Sequence, residues 1–292
     1  MHFDGPTFRP PTENFTPLLQ VTVGCSYNQC AFCSMYRCTQ FRMSPEEEIV
    51  ADLQELAAKN DKIDRIFLLN GDPFALSAQK LLRIAELLHH YLPRMITITC
   101  YCSFVDLRGK SLEDLKALRE AGYNDLYIGI ESGYEPALQM IRKGYTIPEA
   151  EEMLARLAQA GIRYHALLMG GIAGKGKSRE NAEASARLLN QYKPGIVSWI
   201  STSVTEGTLL AEMRDRGEYV ELTEREQLEE EILFLRALDM EDDCFFFGSH
   251  PMNLVPISEY FSKKEEIINY IKTEAAEFED EFLDSVWQRG AM

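Results

Sequence analysis

The run Leu18-Leu19-Gln20-Val21-Thr22-Val23 leads directly into Gly24-Cys25-Ser26-Tyr27-Asn28-Gln29-Cys30-Ala31-Phe32-Cys33. The first part reads as a β-strand, and the second as a loop at its C-terminal end carrying three cysteines in the spacing C-x4-C-x2-C. Three thiols packed into a Gly/Ser/Asn-containing loop are too dense for core filler. A structural zinc site takes four ligands, commonly in two pairs, whereas here one pair is joined by one more. Iron–sulfur clusters are normally held by four thiolates. Three would hold a [4Fe–4S] cluster with one iron left open to bind and activate a small molecule. Cys25, Cys30 and Cys33 are therefore the metal-ligand candidates.

The bulk composition narrows the classes around that loop. Seven cysteines in 292 residues do not make a disulfide framework, and Met1 leads into a polar, proline-containing segment rather than a signal peptide. A thiol-rich chain of this kind is expected in the reducing cytoplasm. No apolar run approaches the roughly 20 residues that span a bilayer. With 30 basic against 46 acidic side chains the net charge is −16, which opposes binding to nucleic acid.

Working outward from the loop, short apolar runs alternate with amphipathic stretches, the pattern of βα units on a parallel sheet. Strands are expected at Leu18–Val23, Ile63–Leu69, Met95–Tyr101, Asp125–Ile130, Arg163–Met169 and Ile196–Val204. Ser44-Pro45-Glu46-Glu47 predicts a helix start with Ser44 as N-cap and Glu47 closing a capping box. Further helices are predicted over 78–91, 112–121, 136–142, 148–160 and 180–191. Six such units over about 190 residues predict an α/β fold, a partial (β/α)6 TIM-like barrel rather than the full eight-unit one. A mostly helical C-terminal extension follows, giving two segments, 15–210 and 211–292. The cysteine loop and every polar or glycine-rich turn fall at the C-terminal ends of strands, where such sheets gather their chemistry.

These features resemble the radical S-adenosylmethionine (SAM) superfamily over about residues 15 to 210. Its members commonly carry C-x3-C-x2-C with an aromatic residue before the last cysteine. Phe32 holds that place, and the loop here has one extra residue. Asn70-Gly71-Asp72-Pro73 is similar to the family's Gly-Gly-Glu-Pro turn, whose backbone carbonyls hold the SAM amino group. Glu131 and Ser132 resemble the polar pair facing the cofactor's ribose and methionine parts. Lys143 stands where relatives place a base for the SAM carboxylate, although a solvated helix-end cation explains it as well. Gly170-Gly171-Ile172-Ala173-Gly174 is similar to the turn that packs on adenine.

The resemblance implies an enzyme with a [4Fe–4S] cluster and SAM as cofactors. Electron transfer to the sulfonium would yield methionine and a 5′-deoxyadenosyl radical, which abstracts hydrogen from substrate. An external electron donor such as flavodoxin or ferredoxin is implied with it. No cobalamin, RNA-binding or peptide-binding module is recognisable, which points to a small-molecule substrate.

Two other readings use the same residues. Gly171-Ile172-Ala173-Gly174-Lys175-Gly176-Lys177-Ser178 is a formal match to the P-loop pattern, with a strand before it and a helix after. However, it follows the fifth strand rather than opening a domain, and no strand ending in a magnesium-binding aspartate comes after it. An iron–sulfur electron carrier is the other alternative, but carriers saturate their iron with four ligands.

Cys38, Cys100, Cys102 and Cys244 are expected as core or lining residues rather than ligands of a second cluster. The Phe245–Asn253 stretch suits either a loop capping the barrel or, better, an apolar anchor for the extension. Tyr27 and Tyr36 are expected as packing groups, and the Glu229-Glu230-Glu231 run as a solvated helix face.

Overall fold

A computed structural model describes residues 1–60 and 62–289. The last three residues of the 211–292 segment therefore lie outside the described residues. Eight strands belong to the main sheet: β1 (Leu18–Gln20), β2 (Arg65–Leu69), β3 (Thr97–Cys102), β4 (Tyr123–Glu131), β5 (Arg163–Gly170), β6 (Ile196–Ser201), β7 (Phe245–Phe247) and β8 (Ser258–Tyr260). The fold is α/β, mostly parallel and of the partial-barrel kind expected from the sequence. The chain divides into two compact units: Met1–Asn28 with Tyr36–Gly129 and Glu152–Tyr164, and Gln29–Met35 with Ile130–Glu151 and His165–Met292.

In the first unit β1 to β4 run parallel in sequence order, with Leu19 beside Leu68, Phe67 beside Thr99 and Cys100 beside Leu126. Helices Glu46–Lys59, Ala78–Tyr91 and Leu112–Glu120 pack their apolar stripes over the sheet, burying Ile49, Leu53, Leu81, Ile84, Leu88 and Leu115. The predicted capping box at Ser44 does not form. Pro45 is the N-cap, and the Ser44 hydroxyl is buried without a hydrogen-bond partner while its N–H donates to the Val21 carbonyl at 2.9 Å. Ser44 is drawn into the strand layer by Val21, too far into the core to cap.

The N-terminal ends of these strands are closed by charge. Arg65 is 2.5 Å from Glu13 and 2.6 Å from Asp125, and the Tyr127 hydroxyl donates to Glu13 at 2.8 Å. That leaves the opposite, C-terminal ends for the loops that carry chemistry.

In the second unit β5, β6 and β7 are parallel and β8 pairs antiparallel with β7. Phe245–Phe247 is thus a strand beside Ile196–Ser198, the apolar anchor rather than a capping loop. Helices Ser178–Gln191 and Glu224–Ala237 lie side by side. Trp199 on β6 stacks on Phe234 with ring centroids 4.5 Å apart. Gly170 makes room for the indole, since a Cβ there would stand 2.6 Å from its ring. Of the acidic run on this helix only Glu229 is solvated as expected: Glu230 is 0% and Glu231 2% exposed. Gln227, Glu230, Glu231 and Phe234 recur at helical spacing, so the stripe turned to the sheet is partly polar.

Candidate active site

In the first unit the Cys25 end of the loop is fastened to the turn after β2. Asp72 accepts the Ser26 N–H at 2.9 Å and the Ser26 hydroxyl at 2.5 Å, and its carboxylate is 3.7 Å from the Cys25 sulfur. Burial pushes the Asp72 carboxyl up, while the two Ser26 donors pull it back. Gly71 has φ +73, and a Cβ on it would overlap the Gly24 carbonyl, so this turn demands glycine. The Tyr36 hydroxyl accepts the Gly71 N–H at 2.9 Å, and its ring is edge-on to Phe8. Tyr36 is therefore a packing residue that also holds the turn. Thr22 donates to the Asn70 carbonyl at 2.5 Å, and the Asn70 side chain donates to Gln20 at 3.1 Å. The Asn28 N–H reaches the Cys25 sulfur at 3.4 Å. Hydrogen bonds to sulfur are among the features that tune an iron–sulfur ligand.

In the second unit Ala31, between Cys30 and Phe32, has both peptide groups taken. Its N–H donates to Ile141 at 2.8 Å and its carbonyl accepts from Leu210 at 2.9 Å. The Cys33 N–H donates to the Cys30 carbonyl at 3.2 Å. Lys143 is no solvated helix end. It is 8% exposed and its ammonium is 2.7 Å from Glu131 and 6.0 Å from the centre of the Phe32 ring. Burial works against the Lys143 charge, but the Glu131 carboxylate, with Cys30 and Tyr145 nearby, outweighs it and raises the pKa. Glu131 itself has φ +62, a left-handed backbone that costs a non-glycine residue about 1–2 kcal/mol. Such strain persists where surrounding contacts over-determine it. The Tyr145 hydroxyl, 2.5 Å from the Ile130 carbonyl, is one of those contacts.

Ser132 donates to Asn181 at 2.5 Å and accepts from the Tyr134 N–H. Gly133 packs so closely on helix Ser178–Gln191 that a Cβ would stand 2.5 Å from the Ala184 carbonyl. Ile172 is fully buried, and Gly171, at φ +76, gives its N–H to Glu230 at 3.1 Å. That last bond bears on the P-loop alternative. A phosphate cradle needs free amides and no adjacent carboxylate, whereas here a glutamate already holds the amide. Lys177 is exposed and paired with Glu180 at 3.2 Å.

None of the seven cysteines forms a disulfide. Cys100 and Cys102 are buried on β3, where burial pushes both thiols well up, and Cys244 is buried as well. Among the described residues no three Cys, His, Asp or Glu side chains converge as ligands of one metal ion. A [4Fe–4S] cluster asks for a different arrangement, with each thiolate on its own iron.

Residues 19–189, more than half of the chain, match the family model described as the radical SAM superfamily. The chain belongs to the radical SAM superfamily. It carries the domain of an enzyme family whose cofactors are a [4Fe–4S] cluster and SAM, as the cysteine loop led us to expect. A curated relative, the tRNA uridine(34) acetyltransferase of Methanocaldococcus jannaschii, is 25% identical over 118 residues, 40% of this chain and 22% of that protein. Among solved structures, the radical SAM methyltransferase TsrM from Kitasatospora setae, with cobalamin and a [4Fe–4S] cluster bound, gives a TM-score of 0.52 at 18% identity. The match covers 64% of this chain and 36% of that one. The cobalamin-dependent radical SAM enzyme OxsB, with aqua-cobalamin and SAM bound, gives 0.56 at 20% identity over 71% of this chain and 36% of that one. At these identities the likeness to the solved structures is one of fold, and the chain spans only a fifth to about a third of each of these proteins.

Proposed function

We propose that this chain is a radical SAM enzyme whose Cys25, Cys30 and Cys33 hold a [4Fe–4S] cluster. The residues assigned to SAM are, in the first unit, the Asn70–Asp72 turn and, in the second, Phe32, Glu131, Ser132, Lys143, Gly171 and Ile172. The observation that carries the reading is the seat of the Asn70–Asp72 turn. It lies against the start of the cysteine loop, with Gly71 under the Gly24 carbonyl and Asp72 on Ser26.

The donor set suits the cofactors. The thiols are outside any disulfide, and Cys25 has an N–H donor on its sulfur. When bound, the cluster and SAM supply a carbon-centred radical that takes hydrogen from a substrate. The chain's part is to fix the cysteine loop through Asp72 and to hold Lys143 and Glu131 as a neutral pair beside Phe32. Lys143 is thus in place to meet a carboxylate only when Glu131 shares it.

Residues 15–210 form the catalytic segment and 211–292 an extension of it. The substrate is a small molecule, the reductant an external one-electron donor, and the compartment the cytoplasm. No helix among the described residues is long and apolar enough to cross a membrane.

The test is 5′-deoxyadenosine formation by anaerobically reconstituted, dithionite-reduced protein given SAM, beside a Cys30→Ala control. Nucleoside from the wild type alone supports the assignment. A fully assembled cluster that releases none, with or without cell extract as a source of substrate, sinks it.

A further inference from the structure

The family match ends at residue 189, yet the Gly170–Gly174 turn is held largely by residues beyond it. Gly171 has both peptide groups engaged by the extension. Its N–H donates to Glu230 at 3.1 Å, and its carbonyl accepts the Tyr219 hydroxyl at 2.9 Å together with the Gly174 N–H. The Tyr219 ring also lies under Gly174, 3.4 Å from where a Cβ would be, and the Lys175 N–H donates to the Val220 carbonyl at 2.8 Å.

Glu230 makes a second connection. The same carboxylate oxygen that takes the Gly171 amide takes the Asn181 side-chain N–H at 2.6 Å, and Asn181 in turn accepts the Ser132 hydroxyl at 2.5 Å. One fully buried carboxyl therefore ties together the loops after β4 and β5. Its other oxygen is buried without a hydrogen-bond partner. Leaving such an oxygen unmatched costs about 1–3 kcal/mol, so a plain apolar contact would have been the cheaper way to pack this helix. Gln227, one turn earlier, lies over Gly171 and donates to the Thr202 carbonyl at 2.9 Å, extending the same grip to the end of β6.

We infer that the extension sets the cofactor affinity of this enzyme, with Glu230 and Tyr219 as positioning residues that fix the Gly171 peptide and, through Asn181, the Ser132 hydroxyl. The inference rests on the proposed SAM site, since Gly171 and Ser132 are two of its residues. Glu230 and Tyr219 act through the turn and touch no reacting atom.

The test uses the full chain, anaerobically reconstituted, in wild-type, Glu230→Ala, Glu230→Gln and Tyr219→Phe forms. Three quantities are read: iron per chain, amide hydrogen exchange across residues 170–177, and SAM affinity by equilibrium dialysis. Glu230→Ala is expected to speed exchange in that segment and weaken SAM binding about tenfold, the size of one lost buried hydrogen-bond anchor, with iron unchanged. Glu230→Gln, which still offers an oxygen to both donors, is expected to restore affinity to within about twofold of wild type.

Faster exchange with unchanged affinity would reduce the extension to a structural brace and overturn the inference alone. A wild type that loads iron but binds no SAM overturns the proposed site and the inference together. If Glu230→Ala does not fold, Tyr219→Phe decides the matter. It removes one oxygen and is expected to weaken SAM about fivefold, and unchanged affinity there is equally fatal.

Discussion

Gly71 lies so close beneath Gly24 that a Cβ on it would run into the Gly24 carbonyl oxygen and the carbon bearing it. Neither side of this contact is a flexible side chain, so nothing can yield cheaply. Gly71 also has φ +73, which disfavours any other residue. Gly71→Ala is therefore expected to push the Asn70–Asp72 turn off the cysteine loop. Iron incorporation should fall to well under half of wild type, with a stability loss of about 2–4 kcal/mol from overlap plus backbone strain. Colorimetric iron analysis and urea unfolding measure the two. Full iron loading in this variant would mean the turn does not shape the loop.

The Lys143–Glu131 pair gives a second prediction. Their side chains are 9% and 11% exposed and 2.7 Å apart. Removing one partner strands the other charge in a dry place, a loss of about 3–5 kcal/mol. Lys143→Met and Glu131→Gln should each be strongly destabilising, yet the double variant should lose much less than their sum. A double-mutant cycle in urea gives the coupling. If the losses add to within about 0.5 kcal/mol, the two residues do not act as a pair.

Cysteines in this chain sort by environment. Cys25, Cys30 and Cys33 are half-exposed in the loop, while Cys100 and Cys102 are buried with thiols that burial keeps protonated. Since the thiolate is the ligand form, Cys100→Ser and Cys102→Ser are expected to keep wild-type iron content and charge-transfer absorbance. Cys30→Ala should lose most of both. Loss of about half the iron in the Cys100 or Cys102 variants would point instead to a second cluster.

Much of this was legible in the residues, because strand pattern and glycine turns are local signals. The helix expected over 78–91 is Ala78–Tyr91 to the residue, and each of the six expected strands has a counterpart, although Leu18–Val23 divides into Leu18–Gln20 on the main sheet and Thr22–Val23, which pairs antiparallel with Arg42–Met43. What escaped the sequence depended on distant partners. Ser44 has every local mark of a cap, but its backbone is bonded to Val21, and the capping box is lost to that contact. Glu230 and Glu231 look solvent-facing in a run of three acids. Only the turn at Gly171, nearly sixty residues upstream, explains why Glu230 is inside. Period alone held a faint signal, since Gln227, Glu230, Glu231 and Phe234 share the spacing of one helix face. The short strands at Phe245–Phe247 and Ser258–Tyr260 are too brief to stand out from loop.

Glu231 allows the sharpest test of that buried face. It is 2% exposed, its Oε1 has no hydrogen-bond partner, and burial alone pushes its carboxyl up to about 8 from an ordinary value of 4.5. Between those two values the folded chain keeps a proton that the unfolded chain has released. The contribution of Glu231 to stability is thus whole below the unfolded value and drains away as pH rises toward 8. The loss runs at up to roughly 1.4 kcal/mol per pH unit. Glu231→Gln has no proton to lose. Its stability relative to wild type should therefore climb steadily between about pH 5 and about pH 8 in urea titrations. A constant offset across that range would show that Glu231 ionises as freely in the folded protein as in the unfolded one, and would return this helix face to solvent.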